Sequence, residues 1–415
     1  VDDESTQGTV IFQVFSGATK LYESPLLNST SATIPISVNI TGAQTLGLVV
    51  TTGPDNQYYD HADWADAKII CGGPLPTPSP SPSPSPSPVP TATTSLTGFV
   101  QLNGSNLQLN SQPYRFVGTN QYNLAAGGHL PNTCSYNALS DIDRQLSEMG
   151  ANVEVIRFWA FQRFITVNGQ RDWYAFDTII AKAKAANKRL MFTLTDHWGA
   201  CESQGGERQD QWYTTGYKTD LRGDLTTYRN YVSEVVNRYK NENTIMMWQM
   251  VNEAETGCGS WTILRDFAAD IGGLIKSIDA NHIVSLGTIG GGQCGTSGAD
   301  YKSLHAIPQI DVCEYHDYSD NNPIPGDQFN GLQVRINQCN ELGKPLFVGE
   351  IGRIPNQVGG VQARSDIFED KFDAQFAAGI DGELVWNFHD SLHQDPPSSY
   401  GINAGDPVWT MLGKY

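Results

Sequence analysis

From residue 115 onward, short apolar runs alternate with longer stretches whose apolar positions recur every three or four residues. The short runs are RFVGT (115–119), VEVIRFW (153–159), RLMFTLT (189–195), IMMWQMV (245–251), HIVSLGT (282–288), QIDVCEY (309–315), PLFVGE (345–350) and GELVWNF (382–388). Near-continuous apolar runs of this kind read as strands buried on both faces. ALSDIDRQLSEMG, WYAFDTIIAKAKAANK, DLTTYRNYVSEVVNRYK, WTILRDFAADIGGLIKSID, FNGLQVRINQCNELG and RSDIFEDKFDAQFAAG read as helices with one apolar face. Eight strands alternating with helices over residues 96–415 predict an α/β fold, the (β/α)8 barrel. An open doubly wound sheet would carry Gly-x-Gly-x-x-Gly after its first strand. That run is missing, and polar residues gather at the ends of many strands instead.

The chain before residue 74 has no helical period. VIFQVF (10–15), ATIPISVNI (32–40), TLGLVVTT (45–52) and AKII (67–70), separated by turn residues, predict a small β-sandwich fragment over residues 1–73. Residues 74–95 form the boundary. The stretch 74–90, PLPTPSPSPSPSPSPVP, has nine prolines in 17 residues. Such a run cannot donate ladder hydrogen bonds and favours polyproline II, a semi-rigid spacer of roughly 50 Å at about 3.1 Å per residue.

Composition narrows the function. Acidic residues number 44 against 26 basic, for a formal charge of -18, and aromatics make up 10%. A polyanion suits neither nucleic acid nor an anionic membrane surface. Aromatic side chains suit neutral sugar rings. No run of 18 apolar residues is present. Cys71, Cys134, Cys201, Cys258, Cys294, Cys313 and Cys339 include no Cys-x-x-Cys pair, which disfavours a zinc knuckle. With Asn-x-Ser/Thr sequons at Asn28, Asn39 and Asn103, they point to a secreted, disulfide-bonded glycoprotein. Cys134, Cys201, Cys258 and Cys294 fall in loops at one end of the expected barrel, and Cys313 and Cys339 are candidates for a further pair. Cys71 stands alone beside the spacer. The start, Val-Asp-Asp-Glu without Met, leads to the expectation that a segment has been removed.

The chemistry lies at the strand ends. IMMWQMV runs into Asn252-Glu253, and PLFVG ends in Glu350. Strand ends at the C-terminal face of a barrel surround its active site. Two glutamates on separate rigid strands can bracket one glycosidic bond, one giving a proton and the other meeting the anomeric carbon. Glu255 is the nearby decoy. Arg157 can keep the nucleophilic carboxylate ionised, Tyr318 can donate to it, and Asn252 can bind a sugar hydroxyl. His316, expected just after the sixth strand, can hold the proton donor or a hydroxyl. Trp386, expected in the eighth strand, offers a platform for a ring. Asn120, Tyr122, Trp159, His197 and Trp198 complete the rim. On this reading Arg157 and Tyr318 keep Glu350 ionised, while a less polar setting and the charge on Glu350 keep Glu253 protonated.

These pieces resemble known families. Gly118-Thr119-Asn120-Gln121-Tyr122, Arg157-Phe158-Trp159, Asn252-Glu253, His316-Asp317-Tyr318, Glu350 and Trp386 resemble glycoside hydrolase family 5 across residues 96–415. That resemblance implies retention through a covalent glycosyl-enzyme, with Glu253 as acid/base and Glu350 as nucleophile. Members commonly have Pro after the acid/base, whereas Ala254 stands here. Arg157-Phe158-Trp159-Ala160-Phe161 and Gly118-Thr119-Asn120 resemble the mannanase members, so an endo-β-1,4-mannanase acting on mannan or glucomannan is expected. Endo-β-1,4-glucanase, another β-glucan hydrolase and a non-catalytic polysaccharide-binding protein are the alternatives. Before the spacer, LYESPLL, ISVNITGAQTLGLVVTTGPDNQYYDHADWADAKI and its Asp60-His61-Ala62-Asp63-Trp64-Ala65 run resemble the C-terminal half of an NPCBM-type carbohydrate-associated module. Asp60, Asp63 and Asp66 are candidate calcium ligands, with a polar turn as the plainer reading. No cofactor or catalytic metal is expected. Walker, Rossmann, His-Glu-x-x-His and Gly-x-Ser-x-Gly patterns are missing, and His197, His316 and Asp317 form no compact ligand set. The chain is expected to work as a monomer, without nucleic-acid or membrane partners.

Overall fold

A computed structural model describes residues 9–17, 19–28, 31, 34–43, 45–52, 64, 96–126, 138–318 and 320–415. The chain divides into two units, Val1–Val89 and Pro90–Tyr415.

In the second unit eight parallel strands form a barrel. They are β1 (Phe116–Asn120), β2 (Val155–Trp159), β3 (Arg189–Thr193), β4 (Ile245–Gln249), β5 (Ile283–Ser285), β6 (Cys313–Asp317), β7 (Leu346–Ile351) and β8 (Gly382–Val385). Their order is β5-β4-β3-β2-β1-β8-β7-β6. Between β5 and β6 the ring is closed by Asp311 N to Val284 O and His316 N to Ile289 O, each 2.8 Å. Every residue of these strands is buried, the inward face filling the barrel and the outward face lying under helices. Helices Ile142–Met149, Tyr174–Ala185, Tyr228–Tyr239, Trp261–Ile278, Ala299–His305, Leu332–Leu342 and Val361–Ala377 follow β1 to β7 in turn. The apolar periods marked these helices except Ala299–His305, which is too short to show one.

A second departure lies at the foot of the barrel. Val100–Asn103, Asn106–Leu109 and Gln112–Tyr114 form an antiparallel three-stranded sheet, unforeseen because its strands are short and bury few apolar side chains. Its Val100 and Leu107 pack with Phe116, Met191, Met246, Ile283, Phe347 and Leu384 and close the N-terminal end. Fully burying one such side chain contributes about 1.5–3 kcal/mol. The opposite end is left to polar side chains. Gly118 is required where β1 meets β2, since a Cβ there would run into the Val155 carbonyl.

Two disulfides brace this unit, Cys258–Cys294 and Cys313–Cys339, and Cys201 is also disulfide-bonded. The first joins the β4 and β5 loops at the mouth. The second ties β6 to helix Leu332–Leu342.

In the first unit Thr9–Ser16 pairs antiparallel with Thr19–Glu23, Leu27–Asn28 and Leu46–Thr52. Val10, Phe12 and Val14 alternate inward, and Phe12 meets Trp64 edge-on at 4.9 Å. The expected strand over 32–40 does not form in its described part, 34–40. Pro35 lacks the ladder donor a strand needs there. AKII, Asp60, Asp63, Asp66, Cys71, Cys134 and the spacer 74–95 lie outside the described residues.

Candidate active site

The mouth is organised around Arg157 of β2, whose side chain is 1% exposed. Its Nη1 donates to Glu350 Oε1 and Asn120 Oδ1, both at 2.7 Å. Its Nη2 donates to Asn252 Oδ1 at 2.5 Å and its Nε to Gln249 Oε1 at 2.9 Å. Glu350 thus comes from β7 already paired, and Tyr318 OH donates to its other oxygen at 2.6 Å. Such charge-assisted bonds fix a carboxylate's position as well as its charge.

Glu253 lies four residues beyond β4. Its φ of 57° is left-handed backbone, a conformation costing a glutamate on the order of 1 kcal/mol or more, and it bends the chain at the rim. His316 Nδ1 meets Glu253 Oε1 at 2.7 Å, and Trp198 Nε1 donates to Oε2 at 2.6 Å. His316 also lies 3.6 Å from Glu350 Oε2. One carboxylate oxygen of each glutamate and a ring nitrogen of His316 all fall within 4.8 Å of one another.

That separation would also admit a cation, and Glu253, His316 and Glu350 are the donors that could hold one. The Arg157 guanidinium, 2.7 Å from Glu350, already supplies the positive charge and opposes a second cation. We therefore assign no metal to this set. The other imagined ligand group comes apart. Asp317 turns outward to Lys371 Nζ at 2.9 Å, while His197 is buried against Tyr213 OH at 3.0 Å.

The ionisation order differs from the sequence expectation. Burial pushes the Glu350 carboxyl above the ordinary carboxylate range, against the pull of His316 and Arg157. Burial acts on Glu253 too, yet the hydrogen bond and charge of His316, with the Trp198 indole, hold it below the ordinary value. His316 opposes its own burial and is raised to about 10 by the charge of Glu350 and its bonds to Glu253 and Glu314. These directions favour the imidazole over Glu253 as the holder of the proton between them in the free site. Glu253 is not kept protonated by an apolar setting, because the imidazole lies against it.

Other positions also need correction. His316 belongs to β6 itself, and Trp386 stands just past β8, joined to Asn387 by a cis peptide bond. Trp159 is 6% exposed and is not an open platform. It packs behind Trp386 and Tyr122, which stack with centroids 5.6 Å apart and planes 12° apart. Trp386 and Tyr122 remain half-buried, and Trp198 is exposed beside Glu253. Both ends of the Asn252 amide are engaged, Oδ1 by Arg157 and Nδ2 by Asp196 Oδ1 at 2.8 Å. Asn120 likewise donates to Gly349 O at 2.9 Å. Glu255 is half-buried in the loop beyond.

Gln249, Asp196 and Glu314 were not singled out from sequence. Their signal was available: a polar side chain inside an apolar run, two or four residues from a strand-end functional residue, shares its face. Glu314 and His316, both within β6, are such a pair.

The family model described as Cellulase (glycosyl hydrolase family 5) matches residues 117–383, and that of the NPCBM/NEW2 domain matches residues 1–70. The chain is 25% identical over 363 residues to mannan endo-1,4-beta-mannosidase 5 of Solanum lycopersicum, covering 74% of this chain and 85% of that one. It is 26% identical over 358 residues to mannan endo-1,4-beta-mannosidase A of Hypocrea jecorina, covering 77% of each. Among solved structures, the endo-1,4-beta-mannanase of Rhizomucor miehei superposes with a TM-score of 0.59 at 20% identity, over 76% of this chain and 98% of that one. The endo-beta-1,4-mannanase of Thermotoga petrophila gives 0.57 at 22% identity, over 74% and 77%. These structural likenesses concern the fold.

Proposed function

The chain belongs to glycosyl hydrolase family 5, and from that premise we propose that it cleaves internal β-1,4-mannosidic bonds of mannan or glucomannan with retention of configuration. The observation that carries the reading is the pairing of Glu253 and Glu350, whose oxygens approach within 4.8 Å across one cluster. Retaining glycosidases hold their carboxyl groups at about 5–5.5 Å, and inverting ones leave room for water at about 6.5–9.5 Å.

In the proposed first step a Glu350 oxygen attacks the anomeric carbon as the glycosidic C–O bond breaks. Glu253 gives its proton to the departing oxygen, drawing on the proton shared with His316. Water then attacks the anomeric carbon, its proton goes to Glu253, and the ester bond to Glu350 breaks. Arg157 and Tyr318 stabilise Glu350 as it leaves with its charge restored. The relatives named as mannan endo-1,4-beta-mannosidases support mannan as the polymer. Trp386, Tyr122 and Trp198 are the surfaces proposed for the sugar rings. The disulfides support a secreted enzyme.

The test is purified enzyme on mannan, glucomannan, carboxymethylcellulose and laminarin, with product sizes measured. Short β-1,4-manno-oligosaccharides are expected from the first two. Release from carboxymethylcellulose alone would transfer the reading to an endoglucanase. Glu350→Ala should abolish turnover with the fold intact, and normal hydrolysis by it would overturn the nucleophile assignment.

A further inference from the structure

Below the two glutamates lies a third, Glu314 of β6, with no exposed surface. Its Oε1 accepts from Gln249 Nε2 at 2.6 Å and meets His316 Nε2 at 3.2 Å. Its Oε2 accepts from Gln249 Nε2 at 2.7 Å and from Ser285 Oγ at 2.8 Å. A carboxylate inside a barrel is costly unless its acceptor positions are filled, and here β4, β5 and β6 fill them. Room is reserved for it as well. A Cβ on Gly349 would run into Glu314 Oε1.

Two chains of contacts leave this carboxylate. One passes through His316. With Nε2 facing Glu314, Nδ1 is presented to Glu253 Oε1 at 2.7 Å. The other passes through Gln249. With its amide nitrogen on Glu314, its carbonyl oxygen is turned to Arg157 Nε at 2.9 Å, and Arg157 holds Glu350 at 2.7 Å.

We propose that Glu314 is a positioning residue for the reaction, orienting and charging His316 so that its proton is available to Glu253. The proposal rests on the assignment of Glu253 as acid/base. The groups facing His316 are Glu253 from the end of β4, Glu350 from β7 and Glu314 from its own strand. Arg157 and Tyr318 reach it only through Glu350. Removing the Glu314 charge leaves the imidazolium one anion fewer, so His316 gives up its proton at lower pH.

Glu314→Gln tests this with almost unchanged shape. The expected result on mannan is a kcat at least about tenfold lower with KM little changed, since the contacts act on proton supply and not on sugar binding. The alkaline limb of the rate profile should move down by about one pH unit. An aryl β-mannoside whose leaving group needs no proton should lose much less. A variant with parental kcat and an unmoved alkaline limb overturns the proposal, and so does an equal loss on both substrates. If Glu314→Gln fails to fold, 15N-histidine NMR of the unsubstituted enzyme decides. A His316 carrying protons on both nitrogens at pH 8 supports the proposal. A neutral ring at pH 7, or one with Nε2 bare, overturns it. The NMR reading needs no substrate. A protein that releases nothing from any β-glycan refutes the functional reading, and His316 is still judged separately.

Discussion

Replacing Tyr318 by Phe removes one atom, the hydroxyl that donates to Glu350 Oε2 at 2.6 Å. Glu350 is buried and Tyr318 half-buried, so the lost hydroxyl leaves that carboxylate oxygen without its side-chain donor. A hydrogen bond to a charged group is worth about 1.5–3 kcal/mol. At about 1.36 kcal/mol per unit, its loss should raise the Glu350 carboxyl by about one to two pH units. The sign follows from the donor. It favours the ionised form, so without it protonation begins at higher pH. The Arg157 ion pair and the His316 contact persist, and the protein should keep its fold. The assay is kcat/KM on soluble mannan across pH, parent against Tyr318→Phe. The acid limb, where Glu350 takes up its proton, should move up by about one to two units. The alkaline limb, set by the His316–Glu253 proton, should stay in place. An acid limb unmoved within about 0.3 unit, equivalent to about 0.4 kcal/mol, would refute the role given to Tyr318.

Three further outcomes are expected. Gly352→Ala would drive a Cβ into the Tyr318 ring, which Tyr400 backs edge-on at 5.1 Å, so it should reproduce the Tyr318→Phe shift of the acid limb and add a fall in kcat; a parental profile would show that the ring has room to move. Burial pushes Asp196, Asp224 and Asp381 each up to about 6, so their stabilising contribution is full below the unfolded value near 3.9 and is lost as pH rises through 6. His305, pushed down to about 3 by burial, opposes this below about 6.5, leaving these four groups a net uptake of about one and a half protons on folding near pH 5 and a gain on the order of 2 kcal/mol per unit of acidification. The urea midpoint should therefore be higher at pH 5 than at pH 7.5, and a lower one refutes the balance. Removing Cys313–Cys339 by paired Ala substitution opens a loop of sequence separation 26 and should cost about 3.5 kcal/mol in chemical denaturation, with an unchanged midpoint showing that the loop is held without it.

The barrel was legible because its strands are buried on both sides, leaving runs such as IMMWQMV almost without interruption. The foot of the barrel was not. Val100–Asn103 buries only Val100 and Asn106–Leu109 only Leu107, so their few apolar contacts resemble a loop. At the mouth, Glu253 and Glu350 could be placed because each ends an apolar run. Trp159 shows the limit of that reasoning. An aromatic at a strand end can look into the cleft or brace the ring that does, and the choice was made by Tyr122 and Trp386 stacking in front of it.

The protonation pattern was the least legible feature, and the reason is geometric. Sequence places His316 near the rim but gives no register between β6 and its neighbours. In the barrel, β6 and β7 slip at Tyr315/His316, so that His316 pairs with Glu350 while Tyr315 pairs with Val348. That irregularity sets the imidazole beside Glu350, within reach of Glu253 and with Glu314 on its far side. An imidazole among three carboxylates takes the proton that two isolated glutamates would have to share. The contrast between the proposed nucleophile and the proposed acid therefore does not come from one polar and one apolar pocket. It comes from distinct cationic partners, Arg157 fixed on Glu350 and a removable proton on the nitrogen facing Glu253. Only the second cation can be spent on a leaving group, which is the physical ground for giving Glu253 the acid role despite its lowered carboxyl in the free site.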